Sequence, residues 1–141
     1  MFKTAGGKYI APQLIENKFK ESIFIEQIMV IGENQRFPSA FIVPSFAVLK
    51  EWCERHHINY TSNEEMVNHP EIITRYQQEV DKYNEDFSKW EKIKKFVVLP
   101  KEWSIDGGEM TPKLSLKRKV ILEKNRALVD KIYSRDEEVA I

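Results

Sequence analysis

The sequence predicts a small α+β domain, in which a central sheet of about three strands carries helices packed on its faces. Three observations support this. Ser22 to Ile31 is an alternating run that is apolar on both sides, as a strand covered on both faces requires. A second apolar run, Arg36 to Val43, follows after only Gly32-Glu33-Asn34-Gln35, so the two strands pair most simply as antiparallel neighbours. After Pro70, apolar residues recur at nearly heptad spacing, the mark of a long amphipathic helix.

Taken in order, Phe2 to Ile10 reads as a short hairpin. Phe2-Lys3-Thr4 and Lys8-Tyr9-Ile10 flank Ala5-Gly6-Gly7, where glycine can take positive φ. Pro12 suits the first turn of a helix whose apolar face is Leu14, Ile15 and Phe19. In the strand that follows, Ile23, Ile25, Met29 and Ile31 share one side, with Gln27 the exception. Phe24, Ile28 and Val30 share the other, with Glu26 the exception. Pro44-Ser45 opens a helix with Phe46, Leu49 and Cys53 on one face, and Ile58 to Asn63 is a connector. The long helix carries Ile72/Ile73, Tyr76, Val80, Tyr83, Phe87 and Trp90. Phe96 to Leu99 is a third strand, stopped by Pro100. Trp103-Ser104-Ile105 is extended, Asp106-Gly107-Gly108 a tight turn, and Glu109 to Leu116 a loop or short extended run. From Lys117 a final helix places Ile121, Leu128 and Ile132 on one side, and the charged tail after Ser134 is expected to fray.

Composition narrows the function. The 141 residues fit one domain, and 42% apolar residues suffice for a core, which excludes a disordered tail. Basic and acidic residues number 22 each, so the net charge is zero and a general polyanion binder is disfavoured. The single cysteine, Cys53, permits no internal disulfide and lies on an apolar helical face, which reads as core. No apolar stretch approaches a membrane span, and a reducing cytoplasm is the expected compartment. The glycine-containing turn stands so near Met1 that the chain reads as a piece of a longer protein, with Met1 either native or an added start.

Two segments could carry chemistry. Adjacent Gly6 and Gly7 let a backbone approach a bulky ligand, although a plain hairpin turn needs the same residues. Between Met110 and Lys119, a cluster of Lys113, Lys117, Arg118 and Lys119 opens a helix. Lysine is a compact cation on a flexible stem, suited to reaching a phosphate or carboxylate oxygen. The alternative is a solvated basic helix start, which opposes the helix dipole by some tenths of a kcal/mol. Adjacent His56 and His57 point to different sides of a helix, and His69 precedes Pro70, so no metal site is expected.

Both segments resemble motifs of one family. Lys3-Thr4-Ala5-Gly6-Gly7-Lys8-Tyr9-Ile10, with Pro12 and Ile15-Glu16, is similar to the turn that opens the C-terminal domain of adenylate-forming enzymes. The version in long-chain fatty acid–CoA ligases is the most similar. Met110-Thr111-Pro112-Lys113-Leu114-Ser115-Leu116-Lys117-Arg118 resembles the same family's later lysine segment, and Ser104 to Gly108 resembles the run before it. The resemblance spans Phe2 to about Tyr133.

It implies an enzyme that joins a fatty acid to coenzyme A through an acyl-adenylate, using ATP and Mg2+. None of these is expected to bind this fragment tightly. A large N-terminal domain, absent here, would hold most of the site, and the C-terminal domain would rotate between the two half-reactions. Lys117 would be the adenylation lysine. Gly6, Gly7 and Lys8 would lie in the turn that swings in for thioester formation, and Glu16 would fix that turn against the first helix. Ser115 stands where the family often has lysine, so Lys113 remains a second candidate. The implied partners are the N-terminal domain and a fatty acid, with no nucleic acid and no transmembrane segment; peripheral membrane contact is left open. Two rival readings are an adenylate-forming enzyme for another acid and a stand-alone interaction domain using the Ile72 to Trp90 stripe. A nucleic-acid binder using Lys113 to Lys124 is a third, disfavoured by the zero net charge.

Overall fold

The computed structural model describes residues 1–134. A hairpin of β1 (Phe2–Lys3) and β2 (Tyr9–Ile10) leads into α1 (Pro12–Phe19). Strands β3 (Ile25–Ile31) and β4 (Ser39–Pro44) follow, then α2 (Phe46–Arg55), α3 (Asn63–Asn68) and α4 (Pro70–Asn84). The chain continues through β5 (Lys95–Val98) to α5 (Arg118–Lys124) and α6 (Arg126–Ile132). The expected tail beyond Ser134 lies outside the described residues.

The main sheet has the order β3-β4-β5. β3 and β4 are antiparallel, as their short turn requires, whereas β4 and β5 are parallel. A parallel pair needs a crossover, and α2, α3 and α4 supply it. β4 is central, and all six of its residues are buried. Each face of the sheet has its own core. Ile28, Val30, Ala40 and Ile42 pack under α1 to α4, while Met29, Ile31, Phe41 and Val43 pack with Trp103, Ile121 and Ile132.

The strict alternation expected along β3 breaks at its start. The register shifts between Ile25 and Gln27, a β-bulge that inverts the phase. Ile25 therefore joins Ile28 and Val30 in the first core instead of sharing a side with Met29 and Ile31. Ile23 precedes the strand and is exposed. In α1, Ile15 and Phe19 are buried four residues apart, but Leu14, a hundred degrees round the helix, is exposed.

The long stripe is mostly internal. Ile72, Tyr76, Val80 and Tyr83 are buried, which removes the surface that a stand-alone interaction domain would need; Ile73 and Trp90 are the exposed members. α4 ends at Asn84, whose side chain exchanges two 2.9 Å hydrogen bonds with the backbone of Ile93 and turns the chain back. Phe87 lies beyond the helix and stacks on Phe19 at 6.3 Å. α3 was not expected; Ser62 caps it by accepting a hydrogen bond from Glu65 N–H at 3.1 Å. His69 caps α4, its Nδ1 accepting from Glu71 N–H at 3.2 Å. Residues 103–105 run as loop rather than extended strand, with Trp103 buried. The single final helix is two, because Asn125 turns its amide back to the Ile121 carbonyl at 2.8 Å and takes a non-helical backbone. Cys53 is buried in the first core, as expected, and burial pushes its thiol pKa up.

Tyr76 ties this core together: its ring is fully buried and its hydroxyl donates to the Phe24 carbonyl at 2.7 Å. Tyr76→Phe removes one of that carbonyl's two donors, the other being the Ser45 N–H at 2.9 Å, and urea denaturation should report a loss of roughly 0.5–1.5 kcal/mol. An unchanged midpoint would show that the bond contributes nothing net.

Candidate functional site

The glycine turn is held from two sides. Thr4 N–H donates to the Lys8 carbonyl at 2.9 Å, and Gly7 N–H donates to the Thr4 carbonyl at 3.0 Å, closing the turn. Asn34 N–H donates to the Lys3 carbonyl at 2.9 Å and Ala5 N–H to the Gln35 carbonyl at 2.8 Å, which pins the turn to the β3–β4 connection. Gly7 adopts φ 83°, a conformation that glycine takes without strain, and a Cβ there would meet nothing within 4 Å. Gly6 is not among the positive-φ glycines, and a Cβ there would meet the Thr4 hydroxyl at an unstrained 4.0 Å. The turn thus has two glycines whose missing side chains the domain's own packing does not need. Lys8 extends its ammonium over the half-exposed Trp90 ring, 5.0 Å from the centroid.

Glu16, on α1 just after this turn, is the residue that joins the two segments. Its carboxylate is buried and accepts both arms of the Arg118 guanidinium, Nη1 at 2.8 Å and Nη2 at 2.7 Å. It also accepts the Val30 backbone N–H at 2.8 Å. The expectation had Glu16 fix the glycine turn against the first helix; its hydrogen bonds go instead to Val30 and Arg118. Arg118 is the residue that immediately follows Lys117.

The lysine segment is a small loop closed on itself. Met110 and Leu116 form an antiparallel bridge, and Thr111 N–H donates to the Ser115 carbonyl at 2.9 Å. Lys113 sits on the exposed tip, next to exposed Leu114 at φ 64°. Lys117 sits at the base. Its N–H donates to the Glu109 carbonyl at 2.7 Å, and its own carbonyl accepts from Ile121 N–H to start α5. Lys117 is exposed, and its ammonium forms no ion pair among the described residues. The two lysines therefore differ in anchorage: one is on a tip, the other where the bridge meets the helix.

A second clamp holds the loop from the side of the Gly107-Gly108 turn, which forms as expected, with Gly108 at φ 86°. Glu109 accepts from Ser104 N–H at 3.1 Å and from the Lys124 ammonium at 3.0 Å, and Lys124 also bonds the Gly107 carbonyl. A Cβ on Gly107 would run into the Glu109 carboxylate. Among the described residues, no group of three or more His, Cys, Asp or Glu side chains could hold a metal ion, and no helix is long and apolar enough to cross a membrane.

Burial pulls the Glu109 carboxyl pKa upward, but the Ser104 N–H and the Lys124 ammonium outweigh it and hold the group below the usual glutamate range. A depressed folded pKa means the clamp stabilises the loop above the unfolded glutamate pKa and is lost as pH falls through the folded value. A carboxyl NMR titration should give Glu109 a midpoint below that of exposed glutamates, and Lys124→Ala should raise it. A midpoint unmoved by Lys124→Ala would remove the lysine from the clamp.

Comparison with known proteins gives a consistent family. The family described as the AMP-binding enzyme C-terminal domain matches residues 2–137. The long-chain-fatty-acid–CoA ligase FadD15 of Mycobacterium tuberculosis is 31% identical over 134 residues, which is 94% of this chain and 22% of that protein. Human long-chain-fatty-acid–CoA ligase 1 is 31% identical over 137 residues, 95% of this chain and 20% of that protein. Among solved structures, the A-PCP didomain of a carboxylic acid reductase from Segniliparus rugosus, in complex with AMP, superposes with TM-score 0.74 at 18% identity. It covers 97% of this chain and 18% of its own. The chain thus spans about a fifth of the length of the curated relatives it matches.

Proposed function

We propose that this chain, which belongs to the family of AMP-binding enzyme C-terminal domains, is the mobile C-terminal domain of a long-chain fatty acid–CoA ligase. It would work with a larger N-terminal domain that holds ATP, its Mg2+ and most of the acid site. In the first half-reaction a fatty carboxylate attacks the α-phosphorus of ATP, giving acyl-adenylate and releasing pyrophosphate. In the second, the coenzyme A thiol attacks the acyl carbon, forming the thioester, and AMP leaves with the bonding electrons.

The observation that carries this reading is the Glu16–Arg118 pair. It ties α1, the helix that follows the glycine turn, to the start of α5 beside Lys117, so one domain carries two segments, each suited to a different half-reaction. Lys117 stands exposed beside Arg118, free to reach the carboxylate and α-phosphate oxygens, where its charge stabilises negative charge building up during adenylation. Gly6 and Gly7 offer a surface without side chains along which the pantetheine arm can pass, with Lys8 beside them. Rotation of the domain would bring first one segment and then the other to the reacting atoms. The fatty acid as substrate is supported by the two ligases named above, each matching nearly the whole chain at 31% identity. On this reading the fragment alone makes no acyl-CoA.

Lys117→Ala in the full-length ligase separates the steps. Acid-dependent pyrophosphate exchange should fall a hundredfold or more, which is roughly 2.7 kcal/mol of transition-state stabilisation. Thioester formation from supplied acyl-adenylate should be largely kept. Undiminished exchange would transfer the role to Lys113.

A further inference from the structure

The segment that carries Lys117 leaves the sheet after β5 and crosses toward β3 without forming a ladder of its own. Between Trp103 and Met110 its polar attachment to β3 is Gln27. This is the polar residue that interrupts the apolar pattern of β3, and it stands at the bulge. Bulges re-aim side chains, and β3 is an edge strand. The Gln27 amide donates from Nε2 to the Trp103 carbonyl at 3.0 Å, and its Oε1 accepts from Trp103 N–H at 2.8 Å. A primary amide so placed copies the paired donor and acceptor of a neighbouring strand. The same Nε2 lies 3.3 Å from the Met110 sulfur. From there the chain of contacts is short. Trp103 is buried in the second core with Ile121 of α5, and Met110 is bridged to Leu116, the residue before Lys117.

We infer that Gln27 is a positioning residue for Lys117, fixing the lysine loop to the sheet through Trp103 and Met110. The inference rests on the adenylation role proposed for Lys117. It deepens that reading by naming a residue that, with the Glu16–Arg118 pair, sets where the ammonium can reach. A displaced loop leaves the lysine present but short of its target, and small misplacements of a reacting group are expensive in rate. The glycine turn is anchored separately, to the β3–β4 connection, so the thioester step is insulated from this change.

The test uses Gln27→Leu and Gln27→Glu in the full-length ligase, with Lys117→Ala alongside. Gln27→Leu keeps the bulk and loses both hydrogen bonds. Pyrophosphate exchange should fall by roughly tenfold in kcat, with KM for ATP and acid changed less than about twofold. Thioester formation from acyl-adenylate should be unchanged. Gln27→Glu presents a carboxylate to the Trp103 carbonyl when ionised, but a protonated carboxyl donates and accepts as the amide does. Its exchange rate relative to wild type should therefore recover as pH falls toward the carboxyl range, which a loss of general stability would not produce. Equal loss in both half-reactions, no loss in either, or no recovery in Gln27→Glu would overturn the inference. If Lys117→Ala keeps adenylation, the role proposed for Lys117 fails and the inference falls with it. If adenylation is lost there but kept in Gln27→Leu, the inference alone falls.

Discussion

One buried carboxylate ties the helix after the glycine turn to the start of the helix that follows Lys117. Glu16 is 4% exposed, and burying a charged group away from water is costly unless hydrogen-bond donors replace the lost solvent. Three donors do so: both arms of Arg118 and the backbone N–H of Val30. The planar guanidinium matches the carboxylate in a two-pronged geometry that lysine could not reproduce. One side chain thereby fixes α1, the C-terminal end of β3 and the start of α5 relative to each other. It also relieves the dipole penalty expected for a basic α5 start, because Arg118 arrives already paired.

Around that point the fold separates two duties. Helices α1 to α4 cover one face of the sheet and build the larger core, including Tyr76 and Phe19. The other face is covered by α5, α6 and the loop that carries Lys117, a thinner layer held by Trp103, Ile121 and Ile132. The thinner layer adds polar clamps to its packing, Gln27 on Trp103 and Lys124 on Glu109. Directional bonds fix the position of a loop more narrowly than apolar packing can, and a loop meant to present one ammonium needs such definition.

The sheet, the hairpin and the helix starts at Pro12, Pro44-Ser45 and Pro70 were legible because they rest on local rules: alternation, glycine in turns, and proline in a first turn. Local rules also carry a signal for α3. Ser62 with Glu65 three residues on is a capping pattern, and it opens α3. What could not be read depends on contacts distant in sequence. The end of α4 is set by Asn84 meeting Ile93, and the phase change in β3 by its pairing with β4. Both segments of the candidate site were visible as motifs, yet the pairing of Glu16 with Arg118 spans 102 residues and leaves no periodic trace. Gln27 appeared only as an exception to a pattern, and the structure supplies its reason.

The central claim is that Glu16 and Arg118 tie the helix after the glycine turn to the start of α5, and a double-mutant cycle tests it most directly. Glu16→Ala, Arg118→Ala and the double variant would be compared by urea denaturation. The account predicts a coupling energy of roughly 1.5 kcal/mol or more. Effects that add within about 0.5 kcal/mol would show that the two residues do not act as a pair, and would contradict the account.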